Sequence, residues 1–119
     1  MMNGEGRIVW AERSMPVLRI VRERFARERP LLGHRIAACV PVTPETASLV
    51  LTLQAGGADV SLCASNPLSS QNDVAASLTD DFKIPTYAQR DEDPGRRADH
   101  FDRILGCRPT MTLDDGAEL

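Results

Sequence analysis

The run from Arg35 to Leu68 limits the fold more than any other part of the chain. Arg35 to Val40 is short, apolar and bounded by a turn, the pattern of a buried strand. Thr43-Pro44-Glu45 then opens a helix. The threonine can cap orphan N–H groups, the proline fits the first helical position, and the glutamate sits at the positive end of the helix dipole. Ala47, Leu49, Val50, Leu51 and Leu53 give that helix a broad apolar face. Gly56-Gly57 ends it without a Cβ penalty. A second strand, Ala58 to Ala64, runs into the polar loop Ser65-Asn66-Pro67. The segment reads as a β-α-β unit. Its loops lie beyond the carboxyl ends of the strands, where open α/β sheets bind ligands.

The same alternation extends in both directions. Residues 1–7 are expected to be a flexible terminus. A helix from about Ser14 to Glu28 follows, capped by Ser14 and tolerating Pro16 in its first turn. Val17, Leu18, Ile20, Val21 and Phe25 form its expected buried face, with Arg22, Arg24, Arg27 and Arg29 in water. After the second strand, Ser69 or Ser70 can cap a third helix with Asp73 in its first turn and Val74, Ala75, Ala76 and Leu78 inward. Phe82 to Ala88 resembles a short third strand. Gln89 to Arg97 is a charged loop. A fourth helix from about Arg96 to Leu105 turns Phe101, Ile104 and Leu105 inward. Thr110 to Leu113 reads as a fourth strand, ending at Asp114-Asp115-Gly116. Strands alternating with helices predict an α/β, Rossmann-like three-layer half-domain of about four parallel strands.

Length and composition exclude several classes. A chain of 119 residues holds one domain at most, and 42% hydrophobic with 26% charged residues is a globular balance. A net charge of -3 gives no reason to expect nucleic-acid or membrane-surface binding. No apolar run is long enough to span a bilayer, and the N-terminus lacks an apolar signal core, so a cytoplasmic location is expected. Cys39, Cys63 and Cys107 have neither metal-ligand nor redox-motif spacing and read as buried reduced thiols. His34 and His100 have no carboxylate or cysteine spaced with them as a ligand cluster, so no metal site is expected. No Gly-x-Gly-x-x-Gly occurs, and Gly56-Gly57 is a helix-end turn, so no cofactor site is expected within the chain.

The polar groups that follow predicted strands are the candidate site. They are Thr43 and Glu45 after the first, Ser65 to Gln71 after the second, and Asp114 and Asp115 after the fourth. In a parallel sheet these ends lie on one side. Each group also has a purely structural reading. Thr43 serves as an N-cap, Glu45 as a first-turn carboxylate, Gln71 as an ordinary first-turn residue, and Asp114-Asp115-Gly116 as a turn.

Several longer stretches narrow the choice. Arg35 to Leu68, Trp10 to Arg19 (WAERSMPVLR), Ala64 to Ala76 (ASNPLSSQNDVAA) and Leu113 to Leu119 (LDDGAEL) resemble, in order, the N-terminal part of the adenosylhomocysteinase (S-adenosyl-L-homocysteine hydrolase) family. The resemblance runs from about Ile8 to the last residue. It implies that residues 8–119 are part of a substrate-binding domain, with no NAD-binding domain among them. It implies reversible hydrolysis of S-adenosylhomocysteine to adenosine and homocysteine. In that chemistry a bound NAD oxidises the ribose 3′ position, acidifies the 4′ proton and so permits elimination and water addition. By position, Thr43 and Glu45 match residues that hold adenosine, Glu45 accepting from the adenine amino group. Gln71 matches a residue near the substrate. Asp115 matches an acidic residue beside the ribose and reacting carbons, the expected catalytic group.

Two departures from the family pattern bear on activity. Pro41 stands where the family carries a histidine implicated in proton transfer, and proline has no titratable group. Asn72 replaces an acidic residue usual in that loop. The expectation is a split or truncated family member that supplies part of an adenosine site. For any thioether hydrolysis it would need a partner chain carrying the NAD domain. A homo-oligomer, a non-catalytic nucleoside-binding or protein-binding subunit, and a non-functional fragment are the alternatives.

Overall fold

The computed structural model describes residues 3–117 and 119; Met1, Met2 and Glu118 lie outside the described residues. In chain order the elements are α1 (Gly4–Arg13), α2 (Pro16–Glu28), β1 (Arg35–Val40), α3 (Pro44–Ala55), β2 (Asp59–Ala64), a 3-10 turn (Pro67–Ser69), α4 (Asn72–Asp80), β3 (Thr86–Tyr87), α5 (Pro94–Gly106) and β4 (Met111–Asp114). The sheet order is β3-β2-β1-β4, and every pair is parallel. The architecture is the α/β, Rossmann-like half-domain that the alternation predicts.

The two-residue period of the strands assigns each side chain to a face. Ile36, Ala38 and Val40 of β1 and Val60, Leu62 and Ala64 of β2 pack with Ile8 of α1, Val50 of α3 and Leu78 of α4 in the main core. The intervening Ala37, Cys39 and Cys63 meet Ile104 and Phe101 of α5 on the other face. Burial on both faces is why β1 and β2 read as near-continuous apolar runs instead of alternating ones.

At the N-terminus the structure departs from expectation. Residues 4–7 are helical instead of flexible. The Asn3 side chain caps α1 by accepting from the Gly6 N–H at 2.8 Å, and Ile8 and Ala11 are buried one turn apart. Gly4 and Gly6 hide this helix from a propensity reading. Gly4 has a packing reason: a Cβ there would lie 2.1 Å from the Asp73 carbonyl oxygen. Ser14 does not cap the second helix. It is the C-cap of α1, its Oγ donating to the Trp10 carbonyl at 3.3 Å, and α2 starts at Pro16 without a side-chain cap bond. On α2, Leu18, Val21 and Phe25 are half-buried, whereas Val17 and Ile20 are 73% and 65% exposed. α2 packs mainly on α3, and one neighbouring helix covers a single stripe of residues.

Further along, the third strand shrinks from Phe82–Ala88 to Thr86–Tyr87. Lys83 has φ 60°, which no strand residue adopts, and Pro85 lacks an N–H for the ladder. Neither Ser69 nor Ser70 caps α4; Gln71 holds that position without a side-chain bond. The Ser69 Oγ instead donates to the Asn66 carbonyl at 2.9 Å. α5 begins at Pro94 because Asp93 caps it, accepting from the Arg96 N–H at 2.8 Å. Leu105 is 40% exposed and Cys107 is exposed, both against expectation: Leu105 lies outside the cluster that α5 builds with Ile104 and Phe101, and Cys107 follows the end of the helix.

The close approach at Gly4 gives a test. Gly4→Ala should cost about 1–3 kcal/mol in urea unfolding, since α1 must shift from the α4 backbone. Gly106→Ala meets no atom within 4 Å and should stabilise α5 by about 0.5–1 kcal/mol. Equal stability of Gly4→Ala and wild type would contradict the packing of α1 on α4.

Candidate functional site

Parallel strands place the loops after β1, β2 and β4 on one edge of the sheet. β1 passes through half-buried Pro41 to Thr43, whose Oγ1 accepts from the Thr46 N–H at 3.2 Å. That is an N-cap for α3, and it leaves the hydroxyl a second lone pair. The Gln71 N–H donates to the Val42 carbonyl at 3.0 Å, tying the loop before α4 to the loop before α3. This backbone bond joins the two candidate segments.

Arg7, absent from the sequence-based candidates, completes the junction. Its Nη1 donates to Asp73 Oδ2 at 2.6 Å, and its Nη2 donates to Gln71 Oε1. An arginine has no acceptor, so it must face the Gln71 carbonyl oxygen, and the Gln71 amide is left as a donor. Two recesses flank this pair. One of about 530 Å³ is lined by Arg7, Thr43, Ser70, Gln71 and Arg90 among others. The other, about 320 Å³, is lined by Arg7, Trp10, Pro44, Glu45 and Gln71. Both have the size and the convergent polar groups of small-molecule sites. Glu45 is exposed there and has no hydrogen-bond or ion-pair partner among the described residues. A larger groove of about 660 Å³ between α2 and α3 is lined mostly by apolar residues such as Leu18, Val21 and Leu49. Only Glu45 and Thr46, at one end of it, are polar, so the strand-end recesses, where more polar groups meet, are the better site.

The structure thus brings Thr43, Glu45 and Gln71 to adjoining recesses. Asp115 sits apart, exposed just beyond β4, its N–H 3.4 Å from the Cys39 carbonyl. Its neighbour Asp114 accepts from the Gly116 and Leu119 N–H groups at 3.1 and 2.8 Å and closes the turn. Of the pair, Asp115 is the one left facing solvent. The recess residues Arg7 and Trp10 were missed because α1 was missed. Asn3 followed by Ile8 and Ala11 at helical spacing was the available signal. Gly56 and Gly57 form no phosphate cradle. They precede β2, at the opposite edge of the sheet, and a Cβ on them would meet Phe25 and Leu32 at 2.8 and 3.0 Å. These residues do not fit a dinucleotide.

Beneath the loops, Cys39 and Cys63 are register partners and wholly buried. The Cys63 thiol is pushed far above its ordinary value by its hydrogen bond with Cys39, then by burial and by the charges of Cys39 and Glu92; Arg97 opposes this. A thiol whose folded pKa is raised keeps a proton that the unfolded chain releases above about pH 8.5, so stability falls as pH rises past that value. Urea unfolding should show a loss on the order of 1 kcal/mol between pH 8 and 9.5, flattened in Cys63→Ala. In the folded chain a thiol reagent should titrate Cys107 alone; rapid reaction of all three cysteines would contradict this burial.

Comparison with known proteins bears on this arrangement. A family model described as S-adenosyl-L-homocysteine hydrolase matches residues 2–119. An adenosylhomocysteinase of Thermosynechococcus vestitus is 52% identical over 116 residues, covering 98% of this chain and 27% of the relative. One from Aquifex aeolicus is 53% identical over 116 residues, covering 98% and 28%. An S-inosyl-L-homocysteine hydrolase of Methanosarcina mazei is 43% identical over 117 residues, again covering 98% and 28%. The chain spans little more than a quarter of the length of the curated relatives it matches.

Proposed function

The chain belongs to the S-adenosyl-L-homocysteine hydrolase family, and from that premise we propose that its strand-end loops supply the nucleoside part of an S-adenosylhomocysteine site. The observation that carries this is the convergence of Thr43, Glu45 and Gln71 on two adjoining recesses at the edge where parallel sheets bind ligands. Glu45, an unpaired acceptor, accepts a hydrogen bond from the adenine amino group. Thr43 and the free Gln71 amide hold the sugar. Asp115 lies apart from these recesses, and the family resemblance alone supports its approach to the ribose, where a carboxylate orients a hydroxyl or moves a proton. Pro41, beside Thr43, contributes no acid or base. That favours a second reading, in which this chain binds a nucleoside without performing the proton steps.

NAD, the cofactor that the family implies, would be held by a further segment or a partner chain. Exposed Val17 and Ile20 beside the apolar α2–α3 groove support a covering protein surface, either that partner or a second copy. The region is proposed as residues 8–119 of a substrate-binding domain. Among the described residues no helix is long and apolar enough to cross a membrane, and a cytoplasmic location is proposed with the family.

Calorimetric titration tests the site. Adenosine should bind the chain, and Glu45→Ala should weaken it by about tenfold, with unfolding stability changed by under about 0.5 kcal/mol. Binding that is unaffected by Glu45→Ala would remove Glu45 from the site, and the absence of adenosine binding would sink the reading. Native mass spectrometry of the chain purified from its host should show a second polypeptide or a second copy. A lone monomer at high concentration contradicts the covering surface.

A further inference from the structure

The recess of about 530 Å³ is lined by Ser70, Arg90 and the start of α4. α4, nine residues long, opens onto it with Gln71 at the cap position and no side-chain cap bond. The first-turn N–H groups of Asn72 and Asp73 therefore have no intrahelical acceptor, and the positive end of the helix dipole lies at the recess. Asp73 spends one oxygen on Arg7 and the other on the Val74 N–H at 2.9 Å. Asn72, neutral at the first helical position, turns its Oδ1 to the Arg90 N–H at 2.9 Å.

An independent observation comes from Ser70. It is wholly buried, lines the recess, and its Oγ has no hydrogen-bond partner among the described residues. A buried hydroxyl without a partner is costly and calls for a ligand to satisfy it. Charge adds to this. Arg7 and Arg90 line the recess against the single carboxylate Asp73, and the Arg90 guanidinium has no ion-pair partner among the described residues. The uncapped helix start, the orphan hydroxyl and the free guanidinium all favour an acceptor-rich anion.

We propose that this recess binds a small oxyanion, a carboxylate or a phosphate, carried on the tail of the nucleoside ligand between the start of α4, Ser70 and Arg90. The proposal rests on the nucleoside reading, because Gln71 and Arg7 border both recesses and so place the anion beside the nucleoside. A carboxylate would come from an amino-acid tail such as that of S-adenosylhomocysteine, and a phosphate from a nucleoside 5′-phosphate.

The test compares adenosine, S-adenosylhomocysteine and adenosine 5′-phosphate on the full chain by calorimetry, with Arg90→Gln and Ser70→Ala as variants. At least one anionic ligand should bind about tenfold more tightly than adenosine, with the stronger of the two naming the source. That gain should shrink in either variant and with added salt, by more than any fall in adenosine affinity. Equal affinity for all three ligands, or variants that weaken all three alike, would overturn the proposal. Titration with inorganic phosphate, followed through the amide resonances of Ser70, Asn72 and Asp73, separates the two readings. If adenosine fails to bind but phosphate shifts these amides, the nucleoside reading falls and the anion site stands. If phosphate leaves them unmoved, the anion site falls.

Discussion

The parallel ladder between β1 and β2 is the constraint on which the remaining structure depends. It runs without interruption from Arg35 opposite Asp59 to Val40 opposite Ala64, and five residues of each strand are buried. Two buried strands that end level must release their chains at the same height. The following segments then turn into α3 and α4 side by side, and the Gln71 to Val42 backbone bond fixes their separation. Burial also forbids register slip, since a one-residue shift would exchange the faces that meet α3 and α5. The site is thus held by the most buried part of the fold, although its own residues are half-buried or exposed.

The two faces of the sheet are unequally covered. α1, α3 and α4 build a deep core on one side, whereas α5 alone covers the other, with Ile104 its only fully buried residue. β4, at the edge, is exposed over its first two residues. The buried Cys39–Cys63 pair occupies the thinly covered face. Exposed apolar side chains on α2 and the open β4 edge are the surfaces that a larger assembly would cover.

Much of this was legible in the chain. β1, α3 and β2 were bounded to within a residue, because caps, glycines and apolar runs agree there. What the sequence hid has physical causes. α1 is disguised by Gly4 and Gly6, and the reason for Gly4, the Asp73 carbonyl, lies far away in sequence. The inward face of α2 was overestimated because periodicity marks apolar residues but not how many neighbours will cover them. Thr43, Glu45 and Gln71 are candidates by their positions after strands, and the structure brings them to adjoining recesses. Arg7 and Trp10 arrive through α1, and a reading that follows strand ends passes over them. Asp115 remains at its strand end, apart from the two recesses.

The most direct measurement is a crystal structure of the chain grown with adenosine. The account predicts the base against Glu45 and the sugar toward Thr43 and Gln71, with Arg7 still bonded to the Gln71 carbonyl oxygen. Adenosine seated in the apolar α2–α3 groove, or a Gln71 amide turned over with Arg7 released, would contradict it.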